Sequence, residues 1–338
     1  MRRARVVEAG GGFYHVISRV VGRERLLRDE ADRELFRHIM RAMEAFSGCQ
    51  VLTWCCLFNH FHILLHVPAA QEVGDVELLA RMKFLYRPEK VDEFAEELTR
   101  YREAGQSVLA ERSREPYVRR MYNLAEFVKT LKQRMTMAYN KRHDRLGTLW
   151  TERYKSVLVE GETDALMAIS AYIDLNPVRA GLVVDPADYR FSGYGEAMGG
   201  SKLARVGLGW VVGGGPSDWS VAGGVYRQLL YIKGRERGLT PEGVPVRAGF
   251  SEEEVAAVVS AKGRLPMTEA LRCRVRYFTD GVALGSRGFV DAVFQRHRGY
   301  FSEKRRDGAR AMRGAQWGGL FTARDLRRSV ITAAAPAC

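Results

Sequence analysis

The sequence predicts an α+β protein: an antiparallel sheet flanked by helices, followed by a smaller, mainly helical C-terminal domain. Three observations lead there. Residues 13–20 and 60–67 alternate their side chains with a period of two. Residues 30–46 and 119–142 repeat apolar groups at helical spacing. Nine glycines fall between positions 199 and 224, which makes that stretch the best candidate linker in the chain. A length of 338 residues suggests about two domains, and 46% hydrophobic with 28% charged residues excludes wholesale disorder. The expected domains are therefore 1–198 and 225–338, joined by the glycine-rich linker 199–224.

In chain order, FYHVISRV (13–20) reads as a strand, with Tyr14, Val16, Ser18 and Val20 on one face and Phe13, His15, Ile17 and Arg19 on the other. Residues 30–46 read as a helix carrying Leu35, Ile39, Met40, Met43 and Phe46, ended by Gly48. Residues 51–58 and 60–67 read as two β segments around the turn-prone Asn59, either a hairpin or a bulged single strand. Residues 70–118 hold eight Lys/Arg and eleven Asp/Glu with helical spacing at Phe94, Leu98 and Tyr101, a mildly acidic helical insertion. A long basic helix is expected over 119–142, carrying Phe127, Val128, Leu131, Met135 and Tyr139. Residues 149–160 read as a strand, and 163–176 as a helix that Thr163 caps and Pro177 ends. Beyond the linker, 252–260 and 287–296 are the clearer helices.

The net charge is +13, from 53 Lys plus Arg against 40 Asp plus Glu, which points to a polyanionic partner. Residues 119–156 and 296–328 each contribute +7, so the excess sits in two places. The bland reading of either run is a solvated helical face. No apolar stretch approaches the roughly 20 residues needed to span a bilayer, and Glu8 with Gly10 to Gly12 follow the basic start where a signal peptide needs an apolar core. Five cysteines, odd in number and including the adjacent Cys55 and Cys56, suit a reduced cytoplasm.

Two elements carry chemistry. In NHFHILLHV (59–67), His60, His62, Leu64 and His66 share one face of a strand while Phe61, Ile63, Leu65 and Val67 share the other. His60 and His62, about 6.6 Å apart at Cα, can converge on one cation, whereas His66 lies about 13 Å beyond His62. A zinc site from Cys55, Cys56, His60 and His62 is the alternative use of the same segment. In SAYIDLNPVRAGLV (170–183), Tyr172 and Asn176 are four residues apart and stack on one side of a helix. The chain has 14 tyrosines, and a core role is the ordinary one for any of them.

His60-Phe61-His62, the basic segment NKRHDRLGTLWTERYKSVLVE (140–160) and Tyr172-Ile-Asp-Leu-Asn176-Pro177-Val-Arg-Ala-Gly, in this order, closely resemble the REP-associated tyrosine transposases. These are single-tyrosine relatives of the insertion-sequence transposases among the His-hydrophobic-His single-strand nucleases. YRFSGY (189–194) also resembles a family pattern, although Phe191 and Gly193 stand where tryptophan and serine are commoner. The resemblance covers roughly 10–197 and skips the 70–118 insertion. It implies a small antiparallel sheet with the histidine pair on a central strand, Tyr172 as nucleophile, and His60, His62 and Asn176 holding one Mg²⁺ or Mn²⁺. It further implies transesterification of single-stranded or hairpin DNA through a 5′-phosphotyrosine, in the cytoplasm and with no membrane partner.

Phosphate contacts are expected from Lys129, Lys132, Arg134, Lys141, Arg142, Arg153 and Lys155, and base stacking from Trp150 and Tyr154. Lys304, Arg305 and Arg306, with Arg310, Arg313 and Trp317, suggest a second DNA contact. Two other readings stand beside this one: a non-catalytic DNA-binding regulator on the same fold, and an RNA phosphoesterase of the paired-histidine kind, which would need a second histidine motif.

Overall fold

The computed structural model describes residues 6–213, 219–231, 267–323 and 331–332. The protein is α+β, with largely antiparallel sheet flanked by helices. The chain divides into two compact units, Val7–Lys155 and Ser156–Cys338, the latter including Met1–Val6.

The first unit is built on three strands, β1 (Gly11–Arg19), β2 (Gln50–Cys56) and β3 (His60–Pro68), in the order β2-β3-β1 with both pairings antiparallel. β2 and β3 form a hairpin, closed where the Leu57 amide donates to the His60 carbonyl at 2.9 Å. The register of β2 shifts between Val51 and Thr53, a bulge at Leu52. Helix α1 (Glu30–Ser47) starts at Asp29, whose side chain accepts from the Ala31 amide at 3.0 Å. It ends at Gly48, where φ is +72° and an added Cβ would meet Tyr122 and Arg81, so only glycine suits. Phe36, Met40, Met43 and Phe46 form its buried stripe. Phe36 packs against Trp54 and Phe61, with ring centroids 6.1 and 4.9 Å away. Leu35 and Ile39, expected on that stripe, are only half-buried.

The insertion is helical as expected, forming α2 (Asp75–Met82), α3 (Pro88–Glu103) and α4 (Ser107–Val118). Phe94 and Leu98 are buried in it. Arg102 and Arg114 each reach both Asp75 and Glu111, at 2.6 to 2.9 Å, and tie the three helices together. The basic helix α5 (Leu124–Arg142) begins at Asn123, which accepts from the Ala125 and Glu126 amides. All five apolar positions expected of α5 are buried.

The strand expected over 149–160 is shorter. Only β4 (Lys155–Val159) is strand, while Trp150 makes an isolated bridge to Val20. In the second unit β4 pairs in parallel with Ala283–Gly285, which continues antiparallel to Phe321–Thr322 and then Arg310–Ala311. Helix α6 (Thr163–Asp174) has Glu162 at its N-cap position, with no side-chain cap, and Thr163 is its first residue rather than its cap. Pro177 does not end the helical path: it sits in the first turn of a short α7 (Asn176–Arg179), where a missing N–H costs nothing.

The described residues of the glycine-rich stretch are largely helical. They contain α9 (Lys202–Val211), with Gly207 and Gly209 buried, and the start of α10 (Trp219–Tyr231). The division between units falls instead at residues 155 and 156. α8 (Gly193–Met198) is capped by Ser192, and a Cβ on Gly195 would lie 2.0 Å from the Tyr189 carbonyl oxygen. The helix expected over 252–260 lies outside the described residues, and Arg287–Arg296 is helical as expected. The described C-terminal residues add short strands to that helical region. Among the described residues no helix is long and apolar enough to cross a membrane.

Asp174, at the end of α6, is fully buried. Its carboxylate accepts from the Tyr226 hydroxyl of α10 at 2.5 Å and from the Tyr194 amide of α8 at 3.0 Å. Burial, reinforced by the Asp174 charge, pushes the Tyr226 phenol well above its ordinary pKa, so it stays a donor. Tyr226→Phe removes one donor from a buried carboxylate and should lower the unfolding free energy by about 1–3 kcal/mol, read from urea denaturation. An unchanged midpoint would contradict this role for the pair.

Candidate functional site

The β1/β3 register decides what faces what. Ile17 pairs with His62, Arg19 with His60 and Phe13 with His66, while Cys55 of β2 pairs with His62 on the other side. One face of the sheet therefore carries His60, His62 and His66 with Phe13, His15, Ile17 and Arg19. The opposite face carries Tyr14, Val16, Phe61, Ile63 and Leu65, all buried.

His60 and His62 are brought together, their ring centroids 5.1 Å apart at an interplanar angle of 76°. Each ring is also held at Nδ1. His62 Nδ1 lies 2.8 Å from His15 Nε2, and His60 Nδ1 lies 2.6 Å from Asn59 Oδ1. His15 and His62 stack with centroids 5.0 Å apart, and both are buried. Sequence reasoning placed His15 on the right face of β1 but gave it no role. Its signal was present, since a histidine sits at an alternating position among apolar neighbours, but its partner depends on strand register.

His66 is separate from the pair as expected: it stacks on Phe13 at 4.5 Å and its Nδ1 is 3.1 Å from Gln50 Oε1. Burial lowers the His66 pKa. The cysteine alternative fails on geometry. Cys56 pairs with Phe61 and so lies on the opposite face from His62. Its thiol is pushed up to about 12 by burial, and Cys49 to about 11 for the same reason. Among the described residues no group of three or more His, Cys, Asp or Glu side chains is placed to hold a metal.

Tyr172 and Asn176 lie in the second unit, on α6 and at the start of α7. Tyr172 is 3% exposed and packs edge-on to Phe278 at 5.0 Å. The Arg179 guanidinium lies 4.0 Å above the Tyr172 ring. Arg179 also donates to the Tyr172 carbonyl and, at 2.7 Å, to the Leu271 carbonyl. Asn176 is buried, and its amide nitrogen has no hydrogen-bond partner. The two halves of the predicted constellation thus fall in different units.

Residues 11–99 match the family model of the IS200-like transposases. The matched segment holds His15, His60 and His62 and ends before Tyr172. The chain is also similar to a solved REP-associated tyrosine transposase bound to a REP hairpin, at 16% identity and a TM-score of 0.38 over 60% of this chain and 90% of that one. No curated protein matches the chain.

Beside this transposase-matched segment, the basic residues have mixed fates. Lys129 pairs with Glu126 at 3.1 Å, Lys132 donates to the Glu152 carbonyl, and Arg142 pairs with Asp29 and Asp32. Lys141 and Arg153 are exposed; Arg134 and Lys155 are half-buried. Trp150 and Tyr154 are 6% and 7% exposed and present no ring face for a base. Trp150 instead packs edge-on to Phe61 and donates to the Lys132 carbonyl, so the expected stacking surface is core. Trp317 is buried against Phe278 in the same way. Lys304 and Arg306 are exposed, whereas Arg305 is folded onto Phe294 and Phe301 and donates to the Gly308 carbonyl.

Arg179 bridges two carbonyls with one planar fork, a geometry that lysine cannot reproduce. Arg179→Lys should therefore lower stability by about 1–3 kcal/mol in denaturant titrations. Wild-type stability in that variant would show that the bridge holds nothing.

Proposed function

We propose that the chain is a metal-dependent, transposase-like endonuclease and strand transferase for single-stranded DNA at hairpin-associated sites, acting in the cytoplasm with Tyr172 as nucleophile. The observation that carries this reading is the oriented pair His60 and His62 on one face of β3, inside the segment matching the IS200-like transposases. The YIDLN motif around Tyr172, which resembles that of the tyrosine transposases, supplies the nucleophile.

The donor set is neutral, two imidazole nitrogens and one amide oxygen, and would leave a divalent cation its full charge. If His62 Nδ1–H donates to His15 and His60 Nδ1–H donates to Asn59, both imidazoles are neutral and coordinate through Nε2. The Asn176 amide oxygen, from the second unit, is the third donor that the resemblance assigns. Mg²⁺ or Mn²⁺ held by His60, His62 and Asn176 would polarise the scissile phosphate as a Lewis acid.

The Tyr172 hydroxyl oxygen attacks phosphorus, the bond to the 3′ oxygen breaks, the phenolic proton is lost, and the departing oxygen leaves as a 3′-hydroxyl. A 3′-hydroxyl attacking the 5′-phosphotyrosine reverses the step. The phosphodiester energy stays in the covalent link, so the reaction needs no nucleotide cofactor. Arg179 positions the nucleophile through the ring and backbone of Tyr172.

Labelled single-stranded DNA carrying a hairpin, incubated with Mg²⁺ or Mn²⁺ and then denatured, should run as a covalent adduct with the wild-type protein. Tyr172→Phe should abolish the adduct, and an RNA of the same sequence should give none. Absence of an adduct with every hairpin-bearing DNA would overturn the reading in favour of a non-catalytic DNA-binding regulator. His15→Gln should raise the Mn²⁺ concentration needed for half-maximal cleavage by about 10–100-fold, the usual cost of losing an outer partner of a metal-binding histidine. An unchanged metal midpoint would remove His15 from the site.

A further inference from the structure

The first unit contains a groove of about 760 Å³ lined by residues of α1, α5 and the insertion and by the two arginines that follow it. Its lining includes Tyr86, Arg119, Arg120, Lys129, Arg134 and Lys141. We infer that this groove binds the phosphate backbone of a DNA duplex, with Arg120 and Arg134 as its central contacts. The inference rests on the DNA-processing reading above and names a surface and a substrate feature that reading lacks.

The argument begins with two like charges placed together. The Arg120 and Arg134 guanidiniums lie 5.9 and 5.6 Å from the centre of the Tyr86 ring, and Arg120 donates to the Tyr86 hydroxyl. The carboxylates at the groove, Glu126 in its lining and Glu115 beside it, face its outer cations: Glu126 pairs with Lys129 at 3.1 Å and Glu115 with Arg119 at 3.9 Å. Among the described residues neither Arg120 nor Arg134 meets a carboxylate. Burial, aided by the Arg120 charge, lowers the pKa of Arg134. Two half-buried guanidiniums that share one ring and have no counter-ion repel each other, and anions drawn to them relieve that repulsion.

Length and chemistry select the anion. Lys129 and Lys141 are twelve residues apart on α5, about 18 Å along the helix. One strand of a B-form duplex carries about five phosphates over that distance, so a row of cations meets a row of charges. Recognition of unpaired bases calls for exposed aromatic faces. Here Tyr86 is taken up by the two guanidiniums and by edge contacts from Phe46 and Tyr117, at 6.2 and 5.5 Å. The groove offers charge without a stacking platform, which suits the backbone of a paired stem. The insertion supplies Tyr86 and, with the residues just after it, Arg119 and Arg120, while its own acids Asp75 and Glu111 are bound to Arg102 and Arg114.

The test compares the full-length protein with three variants, Arg120→Gln/Arg134→Gln, Lys129→Gln/Lys141→Gln and the off-groove control Arg112→Gln. Each is titrated against a stem-forming DNA hairpin and an unstructured oligonucleotide of equal length over a salt series. Both double variants should bind the hairpin about tenfold more weakly at 0.15 M salt, with the log–log salt slope reduced by about 1.8, the value for two lost phosphate contacts. The unstructured strand and the Arg112→Gln variant should show much smaller changes. The Lys129→Gln/Lys141→Gln arm uses two solvent-facing side chains, so it reports on binding even if the arginine pair is needed for folding. Wild-type affinity and slope in that arm, or an equal loss for both DNAs, would overturn the inference. The wild-type adduct assay is read separately: adduct with unaltered hairpin binding in the variants defeats only the groove, whereas absent adduct defeats only the proposed chemistry.

Discussion

The pairing of β1 with β3 is the constraint on which the first unit depends. Because side chains alternate along a strand, the register that sets Ile17 against His62 sends Phe61, Ile63 and Leu65 toward α1 and the imidazoles to the other face. A slip of one residue would drive His60 and His62 into the apolar layer occupied by Phe36 and Trp54. The correct register in turn buries His15 and His62, which burial alone would disfavour. The 2.8 Å contact between them offsets that cost and fixes the orientation of the ring that the proposed chemistry uses.

The second unit solves a parallel problem with a charge. Asp174 lies two residues after Tyr172 and is fully buried. It satisfies itself on Tyr226 and on the Tyr194 amide, so the helix bearing the tyrosine is anchored to α8 and α10 by hydrogen bonds with fixed geometry rather than by apolar contact alone. Arg179 ties the same segment to the Leu271 carbonyl through its bond to the Tyr172 carbonyl. Both anchors follow Tyr172 in the chain and fix the segment that carries the proposed nucleophile.

The basic run at 119–156 has a structural reading that its +7 total conceals. Arg142 and Lys132 spend their charge on Asp29, Asp32 and a backbone carbonyl, and Trp150 and Tyr154 spend their rings on the core. What remains for a polyanion is a narrower set, concentrated on the solvent side of α5 and on the residues that follow the insertion.

Local patterns in the sequence were sufficient for the strands bearing the histidines, for α1 with its Gly48 stop, for the helical insertion and for the buried face of α5. Each rests on a periodicity or cap acting within a few residues. They also placed His60 and His62 on one face and separated His66 from them. The failures share one cause, contact between residues distant in the chain. Glycines at 199–224 suggested a linker because glycine is flexible in isolation, yet buried neighbours make Gly207 and Gly209 part of a packed helix. Pro177 suggested a stop, yet the tertiary path lets it open a new turn. His15, Asp174 and the Arg120–Arg134 pair acquire meaning only from partners 10 to 52 residues away, or from a strand register. The sequence by itself determined the faces of the strands and helices, because side-chain direction follows from local backbone geometry. Only the tertiary structure decided which polar groups meet across those faces, because that depends on register and packing.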